Sequence, residues 1–576
     1  MPSINQQIAA AFAELADLLE MTGGERYRIL AYRRAAETLE SAVKDVASLQ
    51  EADLVKMRGI GKATAKKVRE FADAGKMAAL EEMRARIPPG VRELTGIPGL
   101  GPKKAMLLHS ELGIANLEQL RDAIEGQRLR TVPGLGEKTE ENLAAALARY
   151  STDERRMLLG TAIDIAEGMV AGLLQAGAEQ ATYAGSVRRM KETIRDLDIL
   201  AAAGAATQDT AGIAESFANL PQVARVALKG GTKTSVVVAE GLQVDLRIVA
   251  ADEFGSALQY FTGSKQHNVK VREHAVKNGL KLSEYGLFTV PDDKRIASET
   301  EEEVYEALGM QTPLPTMRED LGEVELALRR ELPEPVLVED IRGELHGHSN
   351  YSDGRLPIID MATEARRRGY VYWAVTDHGR DLQIRRILEM EDIDRQIEEV
   401  AQANAALAGE LTVLHGVELN VAPDGSLDYP NDVLERFDLR VASIHGAPWD
   451  LESMTRRLIA AAEHPLVNIL GHPSGRRMGR RPAGEFDLDA VFKAAAANQV
   501  AVEINSNPQR LDLKDDHARA AREYGCYFAI NTDAHKYSDF DHLRLGVGVA
   551  QRAWVGRAEV INTWPLDQLR SFLAKR

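Results

Sequence analysis

The final 240 residues repeat one arrangement, and it leaves this half of the chain few ways to fold. A short apolar run ends in a metal-ligand residue type, a helical stretch follows, and the pattern begins again. Ile341 to Leu345 leads into His346-Gly347-His348, with Asp353 in a Ser-Asp-Gly turn just beyond. Later runs end at Val375-Thr376-Asp377-His378, Gly416-Val417-Glu418, Ser443-Ile444-His445, Gly471-His472-Pro473 and Asn531-Thr532-Asp533-Ala534-His535. In an alternating β/α barrel the strand ends converge on one face. His346, His348, Asp353, His378, Glu418, His445, His472, Asp533 and His535 are therefore expected to line one pocket. Ten of the thirteen histidines lie in this half; His415, His464, His517 and His542 fall outside the pattern and read as ordinary hydrogen-bonded residues. Mixed imidazole and carboxylate ligands favour Zn2+ or Mn2+.

A second carboxylate set lies upstream, in Gly185-Ser186-Val187-Arg188-Arg189 through Asp196-Leu197-Asp198-Ile199-Leu200. Asp196 and Asp198 sit one residue apart in an apolar setting, so a strand period of two puts both carboxylates on one face. The alternating run Gln243 to Val249 reads as a neighbouring strand that brings Asp245 to the same spot. Hard oxygen ligands of this kind suit Mg2+ or Mn2+. Gly185 and Ser186 supply a turn with amide and hydroxyl donors, and Arg188 and Arg189 supply planar donors for phosphate oxygens. Donors for a polyphosphate and carboxylates for its metals thus lie within 14 residues.

This segment resembles the palm signature of the family X DNA polymerases. The resemblance implies that Asp196, Asp198 and Asp245 hold two metal ions, with Asp245 next to the primer 3′-hydroxyl, and that Gly185, Ser186 and Arg189 meet the incoming triphosphate. Tyr260-Phe261-Thr262-Gly263-Ser264, then Asn268 and Arg272, resembles the nucleotide-binding segment at the start of that family's thumb. There the Tyr-Phe pair packs on the sugar and the Asn reaches the minor-groove edge of the new base. Lys265-Gln266-His267 departs from the acidic and aromatic residues of animal members. The histidine-rich half resembles the PHP (polymerase and histidinol phosphatase) domain, which implies that its nine residues hold three ions, Mn2+ or Zn2+, and hydrolyse phosphate esters. Arg476, Arg477, Arg480 and Arg481 follow His472 closely and are candidates to guide a strand toward that pocket.

Toward the N-terminus, Met57 to Ala63, Ile97 to Lys103 and Val132 to Lys138 are three versions of apolar-x-Gly-apolar-Gly-x-Lys, each followed by a helical pattern. Gly59, Gly61, Gly99, Gly101, Gly134 and Gly136 can each bare backbone amides toward an anion. The repeats resemble helix-hairpin-helix motifs, which hold the sugar-phosphate backbone without reading sequence. The net charge of −16 argues against a generally basic nucleic-acid binder. Residues 51–100 nevertheless carry ten basic against seven acidic side chains, and phosphate contact needs only a local basic face. Leu30 to Leu39 resembles a small domain that binds the 5′-phosphate of a DNA gap. Lys67 matches the lysine that in some relatives forms a Schiff base to excise deoxyribose phosphate, although Ala63 stands where another basic residue is expected.

The chain is too long for one core. The expected organisation is multidomain: a helical 5′-phosphate and DNA-binding domain over 1–90, helix-hairpin-helix fingers over 91–150, an α+β nucleotidyltransferase palm over 151–250, a thumb over 251–315, a proline-punctuated linker over 316–338 and a distorted β/α barrel over 339–576. One cysteine, Cys526, permits no disulfide within the chain and suits a reducing bacterial cytoplasm. No apolar run approaches membrane-spanning length and no leader precedes the first helix. The expected function is gap-filling synthesis in base excision repair by a monomer, acting on gapped or primer-template DNA with a 5′-phosphate and on deoxynucleoside triphosphates. It is coupled to 3′-5′ exonuclease or 3′-end processing and extends to incision at abasic sites. The alternatives are a phosphoesterase with weak polymerase activity and a non-catalytic scaffold for DNA ends.

Overall fold

The computed structural model describes residues 4–40, 46–57, 59–95, 97, 100–149, 156–204, 209–290, 292–379 and 388–574. The chain divides into two compact units, residues 1–155 and 156–576. In the first unit every regular element among the described residues is helical. Ile8, Phe12, Leu15 and Leu19 of the helix Ile4–Met21 recur at helical spacing and are buried against Ile29, Tyr32 and Leu39 of Arg26–Glu40. The helices Lys62–Ala74, Pro102–Leu112 and Glu137–Arg149 each begin directly after one of the three glycine repeats.

The second unit opens with a short antiparallel pair, β1 (Met157–Leu158) and β3 (Thr193–Ile194). Its first large sheet comprises β2 (Ala178–Tyr183), β4 (Asp196–Ala203), β5 (Val223–Lys229), β6 (Lys233–Val238) and β7 (Gln243–Ala250), in the order β2-β4-β7-β6-β5. Strand alternation sorts the two faces. Leu197, Ile199 and Ala201 join Val244, Leu246 and Ile248 against the buried side of helix Leu159–Gln175. Asp196, Asp198, Asp245 and Arg247 are left for the opposite face.

A three-stranded sheet of β8 (Leu280–Ser283), β9 (Gly286–Thr289) and β10 (Arg295–Ala297) follows the helices Phe254–Thr262 and Lys265–Lys277. The stretch expected to be a linker, 316–338, is instead packed into the fold. Met317, Arg318 and Glu323 are buried, and the helix Glu323–Arg329 contributes Val324 and Ala327 to the same core as Tyr305 and Leu308. Pro315 opens a single helical turn, Pro315–Met317, and Arg318 just beyond it finds a buried acidic partner in Glu301.

The last part is a seven-stranded parallel sheet in sequence order: β11 (Gly343–Gly347), β12 (Tyr372–Val375), β13 (Thr412–Asn420), β14 (Leu439–Ser443), β15 (Ile469–Gly471), β16 (Ala501–Asn505) and β17 (Phe528–Asn531). A bridge from Gly347 to Ala534, with His348 N donating to Ala534 O at 2.8 Å, draws the first and last strands together. The result is the expected distorted β/α barrel. One continuous apolar core runs from helix Leu159–Gln175 and its sheet into the barrel. No helix among the described residues is long and apolar enough to cross a membrane.

Candidate functional site

β4 and β7 are parallel, and their register sets Asp198 opposite Asp245 and Asp196 opposite Gln243. Asp198 is pushed up to about 6 by burial and by the neighbouring charges of Asp196 and Asp245. Burial also works against the charge of Asp245. It is held below the ordinary carboxylate range by Gln243, which donates at 2.9 Å, by Ser235, and by Lys233 at 3.3 Å. Three carboxylates on one face, one of them resisting ionisation, fit a divalent cation. They do not converge on one point as tightly as the barrel's ligand groups do.

Gly185, at φ +60°, lets the backbone pass so close that a Cβ would lie 2.4 Å from Asp198 Oδ2. Ser186, partly exposed, is the second residue of the helical turn Gly185–Arg188. Arg188, read from the sequence as a phosphate donor, is instead committed to Glu301 through two hydrogen bonds of 2.9 and 2.6 Å and to Thr262 Oγ1 at 2.7 Å. Arg189 donates to Glu319 at 2.9 Å and to the Thr262 carbonyl at 2.7 Å. Both arginines therefore bind the thumb to the palm.

Tyr260 and Phe261 end their helix edge to face, 5.1 Å between centroids. Arg272 lies over the first ring at 5.7 Å and Arg247 over the second at 5.4 Å. Gly263 is needed because a Cβ there would sit 2.5 Å from Asn268 Oδ1. The Asn268 amide donates to Tyr260 O at 2.6 Å and Gly263 O at 3.2 Å, which fixes the turn. His267, where the sequence departs from animal relatives, is fully buried between Glu323 Oε1 at 2.7 Å and the Tyr305 hydroxyl at 2.8 Å.

The barrel brings all nine expected ligands together. Glu418 lies at the centre: Oε1 is 3.0 Å from His472 Nε2 and 3.1 Å from His445 Nε2, and Oε2 is 2.9 Å from His378 Nδ1 and 3.3 Å from His346 Nε2. Asp533 Oδ1 is 3.0 Å from His348 Nε2, and Asp353 Oδ1 is 3.1 Å from His535 Nε2. Glu418 Oε2, His346 Nε2 and His378 Nδ1 crowd together yet none makes a hydrogen bond. Buried polar atoms arranged in this way aim at a common third partner, which is how metal ligands lie. Three groups have converging donor atoms: His348, Asp353, His378 and His535; His346, His348 and Glu418; His378, Glu418 and His445. Burial disfavours charge on these rings, but Glu418 and Asp353 raise His378 to about 10, and Asp353 raises His535 to about 9. Carboxylates that draw protons onto buried imidazoles fit divalent cations in place of those protons. His472 at φ +24° and Asp533 at φ +55° hold backbone in the left-handed region.

His415, His464, His517 and His542 belong to none of these groups. His415 stacks on Phe437, 4.7 Å between centroids, as an ordinary core histidine. Sequence reasoning missed the sixth of the seven strands, β16, and with it Glu503. Its Oε1 accepts from His346 Nδ1 at 2.7 Å and its Oε2 from the His472 amide at 2.7 Å. A lone carboxylate inside the apolar run Ala501 to Ile504 was the available signal. Also missed was Arg510, buried beside Asp533 at 3.6 Å. Of the four expected arginines only Arg477 and Arg481 line the pocket; Arg476 is bound to Glu192 at 2.8 Å and to the Arg510 carbonyl at 2.6 Å.

In the first unit, Gly61 and Gly101 cap the helices that follow them, and Gly59 and Gly134 have φ of +85° and +88°. Nothing lies within 4 Å of the Cβ position at Gly61, Gly101, Gly134 or Gly136, so each hairpin is open to an incoming group. Gly99 lies outside the described residues. Lys67 is partly buried on helix Lys62–Ala74.

Comparison with known proteins identifies four regions. Residues 3–77 match a helix-hairpin-helix domain, 91–149 a SAM-like helix-hairpin-helix tandem, 257–319 the DNA polymerase beta thumb and 344–507 the PHP domain. The chain is 36% identical to the DNA polymerase/3′-5′ exonuclease PolX of Bacillus subtilis strain 168, over 97% of this chain and 98% of that protein. It belongs to the family X DNA polymerases that carry a PHP domain. Its barrel region is also 27% identical to a probable phosphatase of Shewanella sediminis, over 40% of this chain and 94% of that protein. Likeness to the probable phosphatase YcdX of Escherichia coli is 29% over 33% of this chain and 78% of that protein. Asp533 and His535 lie beyond the matched PHP span, and folding alone joins them to the other seven expected ligands.

Proposed function

We propose that this chain is a DNA-directed DNA polymerase that fills short gaps in base excision repair, and that its barrel removes nucleotides or blocking groups from DNA 3′ ends. The reading is carried by the presence of two separate ligand sets within one compact unit, in a chain whose relative over nearly its full length is a polymerase and 3′-5′ exonuclease. Asp196, Asp198 and Asp245 would hold Mg2+ or Mn2+, and the nine barrel residues three ions, Mn2+ or Zn2+. Such ions, when bound, lower the pKa of a hydroxyl or water and neutralise charge on the phosphate under attack.

The chain's own residues supply the rest. Gly185 and Ser186 offer amide and hydroxyl donors to the triphosphate, joined by Arg189 when it leaves Glu319. Tyr260 and Phe261 form the wall for the sugar, and Asn268 and Arg272 flank the new base pair. In synthesis the primer 3′-oxygen bonds the α-phosphorus, the bond to the β-phosphate oxygen breaks, and pyrophosphate leaves with the electron pair while the hydroxyl proton passes to solvent. In the barrel, water adds its oxygen to phosphorus, the P–O3′ bond breaks, and O3′ takes a proton. The products are a nucleoside 5′-phosphate and a shortened strand.

The hairpins at Gly59, Gly61, Gly99, Gly101, Gly134 and Gly136 hold the DNA backbone, and the basic face around Lys62, Lys66 and Lys67 receives the 5′-phosphate of the gap. Lys67 is the residue to test for lyase activity by borohydride trapping, and incision at abasic sites belongs to the barrel. The protein works as a monomer in the bacterial cytoplasm. A second reading, in which the barrel removes phosphate monoesters, is favoured by the probable phosphatases similar to that region.

A gapped duplex with a labelled primer and Mn2+ separates the two activities. Asp196→Ala should abolish extension and spare shortening, and His346→Ala should do the reverse. Loss of both activities from either change would falsify the two-site reading.

A further inference from the structure

We propose that Arg477, Arg481 and Arg510 form a two-phosphate subsite, in which Arg510 takes the scissile phosphodiester and the other two take the next phosphate along the strand. The proposal rests on the barrel's phosphoesterase reading and assigns the side chains that would make it favour a strand over a small phosphate monoester.

The barrel cavity, about 430 Å3, is lined by six of the expected ligand residues, Asp353, His378, Glu418, His445, Asp533 and His535, and also by the three arginines. Arg510 stands on the floor, 5% exposed, with its Nε 3.6 Å from Asp533 Oδ2 and its Nη1 buried without a hydrogen-bond partner. A buried guanidinium nitrogen with no acceptor is costly unless a ligand oxygen completes it. Arg477 and Arg481 stand at the rim, on a tight loop closed by their own backbone: Arg477 N donates to Arg481 O at 2.9 Å and Arg481 N to Arg477 O at 2.7 Å. Arg481 is aimed by Trp449, 4.2 Å beneath its guanidinium, and by the Gly475 carbonyl at 2.8 Å. Burial and the nearby Arg510 hold Arg481 down at about 10.

Three like charges gathered in one cavity are mutually unfavourable until an anion lies between them. One phosphate at the ligand residues accounts for Arg510. It leaves the rim pair unused, and these are two more planar donors suited to phosphate oxygens. In a strand, the phosphate next to the scissile one supplies that second anion.

The test compares two dinucleotides with the same scissile bond, one bearing a 5′-phosphate and one not, using the full chain with Mn2+. Wild type should cleave the 5′-phosphorylated form with kcat/KM about tenfold higher, the value of one charge-assisted contact. Arg477→Gln and Arg481→Gln should each reduce that preference toward one, and Arg510→Gln should depress cleavage of both substrates. Arg477 is exposed, so its replacement carries no packing cost even if Arg481→Gln disturbs Trp449. Equal cleavage of both dinucleotides by wild type, or a preference that survives Arg477→Gln and Arg481→Gln together, overturns the subsite while leaving the phosphoesterase intact. Hydrolysis of p-nitrophenyl phosphate with neither dinucleotide cleaved overturns the subsite and makes the barrel a monoesterase. No hydrolysis of any of the three overturns the phosphoesterase reading itself.

Discussion

A methyl group at residue 185 would lie 2.4 Å from Asp198 Oδ2, on backbone at φ +60° that side chains rarely adopt. Gly185→Ala should therefore displace Asp198 and slow primer extension by about a hundredfold, the cost of misplacing a reacting group by roughly 1 Å. Nucleotide removal by the barrel should be unaffected. Primer length followed with and without nucleotides checks both parts. That these nine barrel residues would converge on one pocket was legible in the sequence because histidine and carboxylate seldom recur at the ends of apolar runs. Arg510 was not, since a single arginine after Asn507-Pro508-Gln509 looks like any loop cation until folding sets it against Asp533. Arg188 was misjudged for the opposite reason: its residue type suits phosphate, but Glu301, more than a hundred residues away, claims it.

At the level of single strands, β16 supports the site without touching its cavity. Glu503 accepts from His346 Nδ1 and the His472 amide, so Glu503→Gln loosens two ligands at once and should weaken Mn2+ binding by about 10- to 100-fold. Titration calorimetry measures this, and unchanged affinity would remove Glu503 from the account. β13 carries a pH response outside the metal ligands. Burial lowers His415 to about 4, while its Nε2 donates to Gln396 Oε1 at 2.9 Å. The unfolded chain binds that proton near pH 6.5 and the folded chain does not. His415 thus contributes about 3 kcal/mol that is fully present above pH 6.5 and lost as the pH falls toward 4. Melting curves from pH 7 to 5 should steepen in wild type and flatten in His415→Gln; parallel curves would rule this out. β4 and β7 were readable from alternation alone, because period two is a local signal. β16 ends in Asn505 rather than in a histidine or carboxylate, so it falls outside the ligand-ending pattern that marks the other strands.

Across the whole molecule, residues 156–576 behave as one body because the palm and the barrel share a core. Glu319 joins them with charge: it accepts from Arg189 of the palm at 2.9 Å and from Arg552 of the barrel at 2.8 Å, and Arg552 also reaches the Arg189 carbonyl at 2.9 Å. In a variant with Asp196, Asp198 and Asp245 all replaced by Asn, which removes the palm's own carboxylates, metal binding in the barrel should therefore still slow hydrogen exchange in palm strands β4 and β7. With ions at a hundredfold excess over their dissociation constant the added protection is about 2.7 kcal/mol. Exchange measured by mass spectrometry before and after chelation tests this, and palm peptides indifferent to chelation would argue for two independent bodies. The sequence hinted at separate domains joined by a linker, since periodicity reports each segment's own buried face and says nothing about a partner far along the chain.

Gly160 of the palm helix lies so near the barrel that a Cβ there would meet Pro508 at 3.1 Å, and one at Gly548 of the barrel would meet Met190 of the palm at 2.7 Å. Surfaces fitted this closely tie the history of the two halves together. A gene cut between them would encode halves with bare, adhesive faces, so losing one chemistry by point substitution costs this chain less than losing the domain that performs it.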